Sequence, residues 1–298
     1  MKRFSFSLIS LLTLVYLASP LWAETTVHIN PLPSQPVVDG SLDEWGSDGW
    51  QSLETKSSLM DEEGEEDERS SQWQPGLQLK TGAYKDHFYM AVKWRDDAAN
   101  TIYKPWKKQG NKYSRSNRKD DMFAVRFELR GDFNSCMVSN RDYEVDMWLW
   151  SAGRSNLVGT ADDMYHRYST KLLDPAIEIP TRQGVVYIQK ILDEGEGGWG
   201  YSRAPAQMRE ELVTSVVKQG TPSGSRAHVV AVGVWKDGYW HLELSRGLRN
   251  KDGNDVQFMA EKPLIGQLAV FNADYHMAKK VTHKLTFDFS QMEKGVSP

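Results

Sequence analysis

One cysteine, Cys136, stands among the 298 residues of this chain. That scarcity excludes an intrachain disulfide, an all-cysteine iron–sulfur cluster, a cysteine-rich zinc site and the Cys-x-x-Cys-His attachment of a c-type haem. Long apolar runs are equally scarce. Phe4–Leu17 is shorter than the ~20 residues a membrane helix needs, and no later segment is longer or more apolar. Excess positive charge is missing too, because a formal net charge of −4 leaves no electrostatic footprint for nucleic acid. There is no glycine-rich phosphate loop, nucleophile elbow or HExxH pair, and the seven histidines show no i, i+4 spacing. Acidic residues are plentiful, but the sequence singles out no pair for glycoside hydrolysis. The chain is therefore expected to carry no catalytic residues of its own.

What is present begins with a leader. Lys2 and Arg3 precede the apolar run Phe4–Leu17, and Pro20–Ala23 reads as a cleavage region. Residues 1–23 are expected to be a signal peptide, with export to a bacterial periplasm. No cysteine follows it to take a lipid anchor. The remainder, 24–298, is expected to be a single domain with no membrane span; at roughly 275 residues it is large for one domain, though all-β units reach about 250. The acidic run Asp61–Glu68 lacks the ligand spacing of a calcium loop and reads as a solvated segment.

Strand periodicity dominates. Leu77–Tyr84 and Phe88–Trp94 alternate around a charged turn, and His228–Trp235 with Trp240–Arg246 repeats that pattern around Lys236-Asp-Gly-Tyr. Strands are further expected at Met122–Leu129, Tyr143–Trp150, Val185–Leu192, Gln267–Asn272 and Val281–Phe289. The one helical candidate is Ala206–Val217. Many strands with turn signals and few helices predict an all-β fold, a single β-sandwich with long loops.

The segment Asp121–Arg154 concentrates unusual side chains. A polar loop, Asn134–Asn140, presents Met137 beside Cys136, and Trp148 and Trp150 share one face of the strand that follows. Arg154 comes next. A soft thioether, an aromatic wall and a cation together suit a flat, anionic, iron-containing cofactor. Each has a plainer reading: Met137 as gap-filler, the tryptophans as core, and Arg154 paired with Asp146.

Further along, Val38–Trp45 and Val92–Asp96 resemble the opening of family 9 carbohydrate-binding modules. Asp146-x-Trp-x-Trp-x-Ala-x-Arg154, Ala161–Tyr165, Trp240-x-Leu-Glu-Leu-x-Arg246 and Lys279–Phe289 together resemble the haem-binding domain of ethylbenzene dehydrogenase-related proteins, which include γ subunits of periplasmic molybdenum enzymes. The resemblance implies one noncovalent haem b held by a methionine and a lysine. The methionine falls at Met137. The lysine pattern, Lys-x-Val-Ser/Thr, falls on Lys279 through Val281 and Thr282, with Lys280 as the alternative. Strand parity also groups Lys279 with Val281, Leu285 and Phe287, so that Lys279 is expected to point inward. The sequence departs from the family pattern at Lys284, where a tryptophan is common, and at Met277, where a glycine is. His276 and Met277 are therefore possible substitute ligands, as are His166 and His283. Trp148, Trp150 and Arg154 are expected to line the cofactor. The implied function is a periplasmic b-type cytochrome that passes electrons to or from a molybdenum enzyme subunit or a soluble c-type cytochrome. The alternative is a haem-free carbohydrate-binding module, favoured by the Asp39–Trp45 opening and the 11 tryptophans.

Overall fold

The apolar alternation resolves into two sheets facing one another across a shared core. The structure is a computed structural model that describes residues 25–57, 72–206, 213–273 and 278–292. The leader, the acidic run and the pair His276–Met277 lie outside the described residues. In chain order, β1 (Thr25–His28) and β2 (Asn30–Pro31) lead through a single 3-10 turn at Asp43–Trp45 to β3 (Gln51–Ser52) and β4 (Thr55–Ser57). The hairpin β5 (Gln78–Tyr84) and β6 (His87–Arg95) is followed by a smaller one, β7 (Trp106–Gln109) and β8 (Lys112–Arg115). Then come β9 (Met122–Gly131), β10 (Tyr143–Ser151), β11 (Asp162–Ser169), β12 (Ile177–Thr181) and β13 (Gly184–Leu192). A short pair, β14 (Trp199–Tyr201) and β15 (Val216–Lys218), precedes the hairpin β16 (Val230–Lys236) and β17 (Tyr239–Gly247). The chain closes with β18 (Leu264–Asn272), β19 (Ala278–Thr282) and β20 (Leu285–Asp288).

The larger sheet runs β1-β20-β18-β9-β10-β11-β13-β12, with β19 bridging β18 and β4. The smaller runs β16-β17-β6-β5-β2, with β3 on β5. Between them Phe88, Met90, Val92 and Trp94 of β6 meet Phe123, Val125 and Phe127 of β9 and Leu268 of β18, all buried. Trp150 lies edge-on to Trp94 and Trp240 at 6.0 and 5.1 Å. Gly233 permits that fit, since a Cβ there would come within 2.3 Å of the Trp150 ring.

Two polar clamps tie the layers together and a third holds the opening loop to the smaller sheet, and all use residues of the family-like motifs. The Trp240 indole donates to Asp121. Arg246 donates to Asp146 at 2.7 Å and lies over the Trp148 ring. Glu243 accepts from the Trp45 indole and from the backbone N–H of Asp39 and Gly40, so it anchors the opening loop. The Asp39–Trp45 motif thus has a structural use. Six tryptophans, at 45, 73, 94, 148, 150 and 240, are buried and cannot stack on a sugar ring.

Two expectations need correction. No helix forms over the described part of Ala206–Val217: Val213 bridges Trp106, and Val216 begins β15. Its β-branched residues pair with neighbouring strands, a tertiary contact that local periodicity does not encode. The expected closing strand is two strands, because the chain leaves β19 at Thr282 and re-enters the sheet at Leu285.

Candidate functional site

β9 is buried along both faces for most of its length, unlike the half-exposed strands of an ordinary sandwich. Its odd positions face the smaller sheet. Its even positions, Met122, Ala124 and Arg126, face the other way and belong to a second apolar layer. Hydrogen-bonded register places Ser151, Met122, Phe271 and Lys279 in one row across that outer face. The next row is Leu149, Ala124, Ala269 and Val281. A third holds Met164, Met147, Arg126 and Gln267, and a fourth Lys190, His166 and Val145. Ala124, Ala269 and Val281 form a floor of small side chains, rimmed by the partly buried Met147, Leu149 and Phe271.

Lys279 stands at one end of this floor, its ammonium 5.5 Å from the centre of the Phe271 ring. Burial lowers its pKa to about 8, and repulsion from Arg126 and Lys190 adds to the effect. Cys136 is close enough to act on Lys279 in the opposite direction. The neighbour of that cysteine, Met137, packs against the cluster of Phe133, Tyr143, Val145 and Tyr168. Met137 and Lys279 therefore share one face of the large sheet, although they are far apart in the sequence.

A single guanidinium links the two. Arg126 Nη2 donates to the carbonyls of Asn134 and Ser135, both at 2.8 Å, and so holds the loop that carries Met137. Its Nε donates to Gln267 Oε1 at 2.9 Å, and Gln267 Nε2 donates to the Thr282 carbonyl, three residues beyond Lys279. The Arg126 side chain also lies over the Phe133 ring. Gly131, with φ of 87°, turns β9 into this loop; a Cβ there would press on the backbone of Asp142 and Tyr143. An arginine in the middle of an otherwise apolar strand was the sequence signal for this role, and sequence reasoning missed it.

His166 is the most isolated polar group of the face. Its side chain is buried, its Nε2 has no hydrogen-bond partner, and burial followed by Lys190, Arg126 and Lys279 pushes its pKa down to about 3. The ring is neutral near pH 7. Arg154 closes the opposite end of the floor. Its Nε donates to Ser151 Oγ at 2.8 Å and lies 3.7 Å from Asp120, while its guanidinium covers Tyr103 and meets Met122 Sδ. Asp146, one of the two partners considered for Arg154, is taken by Arg246.

Lys280 lies in register with Val270, on the face opposite Lys279, and is 2% exposed. The inward direction expected for Lys279 belongs to Lys280. The break at His283–Lys284 returns Leu285 and Phe287 to the inner face while Lys279 and Val281 keep to the outer one. Trp148 and Trp150 also lie on the inner face, fully buried in the sandwich core. They back the floor and do not line it, contrary to the expectation that they stand beside the cofactor with Met137. His283 is partly buried beyond the end of β19.

The residues present suit a flat anionic group. The floor side chains are small and apolar, and Arg126, Arg154, Lys190 and Lys279 bring positive charge to the same face. A thioether, an amine of lowered proton affinity and an unpartnered imidazole nitrogen are the donors a haem iron takes.

Among solved structures, the chain is similar to a family 9 carbohydrate binding module from Caldicellulosiruptor kristjanssonii in complex with cellotriose, at 10% identity and a TM-score of 0.41, covering 92% of this chain and 98% of that one. A module of that family and organism in complex with glucose gives 8% identity and a TM-score of 0.36, covering 89% and 96%. A protein from Bacteroides uniformis gives 8% identity and a TM-score of 0.43, covering 89% and 100%. No curated protein matches the chain. Among the described residues, no helix is long and apolar enough to cross a membrane. A family described as ethylbenzene dehydrogenase matches residues 50–282.

Proposed function

The chain belongs to the ethylbenzene dehydrogenase family, and from that premise we propose that it is an exported b-type cytochrome module serving a molybdenum-containing oxidoreductase. The observation that carries this reading is the outer face of the large sheet, where Lys279 and Arg154 stand at the two ends of a floor of small residues and Arg126 ties the loop carrying Met137 to the strand carrying Lys279. A bound haem supplies one-electron redox chemistry. The protein supplies the rest. Met137 offers a sulfur that cannot be protonated. Lys279, with its pKa near 8, gives up its proton far more readily than an exposed lysine, and ligation needs the neutral amine. Arg154 at the rim is placed to meet a carboxylate, and His166 Nε2 would offer either a hydrogen bond or a ligand in place of one of that pair. A partly exposed edge at Phe271 and Leu149 gives a short route for electrons to a docked subunit or a soluble c-type cytochrome.

A second reading rests on one cleft of about 560 Å³, where half-buried Trp50 faces Asp39, Asp43, Gln78 and His241. A haem-free module would bind a saccharide there. The two are separated by colour. The protein purified from its own periplasm should show a Soret band equal to one haem per chain, and acidified organic solvent should extract all of it. A colourless protein that binds oligosaccharide, or colour that stays with the chain on a denaturing gel, contradicts the cytochrome reading.

A further inference from the structure

On the far side of β11 from the outer-face site, four buried aspartates converge against one buried guanidinium. Asp146, Asp163, Asp193 and Asp255 are each no more than 6% exposed, and Arg246 is the buried cation between them. Arg246 reaches Asp146 at 2.7 Å and Asp255 at 3.7 Å. The neighbouring Arg226 is drawn to Asp162 instead. Both carboxylate oxygens of Asp163, both of Asp193, and one each of Asp146 and Asp255 are buried without a hydrogen-bond partner. Buried carboxylates left in this state are costly unless something positive completes them.

The geometry shows where that charge belongs. One oxygen from each of Asp193, Asp252 and Asp255 lies within 4.8 Å of the others, and Asp163, His228 and Asp255 form a second such group through the shared Asp255. The chain supports this arrangement. Asp193 follows the end of β13, and its N–H donates to the Asp163 carbonyl on β11. The loop 250–255 is wound by its own side chains: Asp252 N–H donates to Asn250 Oδ1, and Asn254 N–H to Asp252 Oδ1. Asn250 Nδ2 donates to Asp255 Oδ2, and His228 Nδ1 is 3.5 Å from that same oxygen. A cleft of about 610 Å³ opens above, bordered by Glu194, Ser225, His228, Asn250, Asp252 and Asn254. It gives an ion a way in and room for water ligands.

We propose that Asp193, Asp252 and Asp255, with Asp163 beside them, bind a calcium ion. An oxygen-rich set drawn from three chain segments, with side-chain amides and an open cleft at hand, suits a hard cation with six to eight ligands. Magnesium demands a tighter octahedron than three separate chain segments provide. Bound there, calcium crosslinks β11, the end of β13 and the β17–β18 connection. Protons are the competitor. Burial holds the Asp163 carboxyl well above the ordinary carboxylate range and lifts Asp193 to about 7, with repulsion from Asp255 adding to it. A cation held by several of these carboxylates satisfies more of their unpartnered oxygens than a proton on one. The site lies apart from the outer-face floor, and it stands whether or not that floor holds a haem.

The test uses the mature protein, stripped with a chelator and then titrated. Calcium at roughly 1 mM should raise the melting temperature by about 5–10 °C, and magnesium should not reproduce this. Terbium should luminesce on tryptophan excitation, since Trp148 is paired with Asp163 across β10 and β11. Asp252→Asn, at a partly exposed position, should weaken both responses at least about tenfold while the metal-free fold persists. Asp163→Asn with Asp193→Asn should stabilise the metal-free protein and abolish the calcium response. A melting temperature that calcium and chelator leave unchanged, with only pH moving it, overturns the site. So does a calcium or terbium response that survives in full in the double variant.

Discussion

Lys279 and Lys280 differ by one position and by a whole face of the large sheet. Strand geometry sends successive side chains to opposite sides, so Lys279 joins Phe271 and Met122 while Lys280 enters the buried layer beside Val270. A ligand on the Met137 face can come only from the first. His166 belongs to the same face and gives a prediction with a definite sign. Its folded pKa of about 3 lies below the ordinary 6.5, so the folded state binds fewer protons than the unfolded chain between those values. Stability from this group is present above pH 6.5 and is lost as pH falls toward 3. In haem-free protein the loss should reach about 2 kcal/mol by roughly pH 5, and His166→Gln should remove that part of the slope. Urea midpoints for the two proteins at neutral and acidic pH measure it directly; equal slopes would mean His166 is solvated.

The loop after β9 and the strand β19 are coupled through Arg126 and Gln267. Arg126→Met keeps the length of the side chain but removes every donor to Asn134, Ser135, Tyr143 and Gln267. Amide exchange at Cys136 and Ser139 should accelerate, and the fold should lose about 2–3 kcal/mol through the unpaired carbonyls it leaves behind. Unchanged exchange in the loop would show that Phe133 and Tyr143 hold it without the arginine. At this scale the sequence was legible for strands whose alternation is local. Met122–Leu129, Tyr143–Trp150 and Val185–Leu192 agree with β9, β10 and β13 within a residue or two. It was not legible where pairing decides. In the described part of the helical candidate Ala206–Val217, Val213 instead bridges Trp106, and Val216 and Val217 pair with β14. Of the candidate residues, Met137, Lys279 and Arg154 lie on one face, while the tryptophans follow the inner parity of β10. Which face of a doubly buried sheet carries a cofactor is set by the layer on each side, and one strand's pattern does not record that.

The molecule as a whole is a sandwich whose interlayer clamps are charged. Arg246 with Asp146 is fully buried, so Arg246→Met should cost about 3–5 kcal/mol by leaving a carboxylate without its cation, read as a lower urea midpoint. Export belongs to this scale as well. The mature chain should begin near Glu24, and an intact Met1 in the mass of protein from the soluble periplasmic fraction would contradict that. The central claim concerns two residues on one outer face, and it has one direct measurement: the optical and near-infrared spectra of Met137→Ala, Lys279→Ala and Lys280→Ala beside the parent. Loss of the near-infrared sulfur-to-iron band in the first, high-spin or absent haem in the second and parent-like spectra in the third are the predicted results. Low-spin spectra unchanged in both the Met137 and Lys279 variants would contradict the assignment and turn attention to His166.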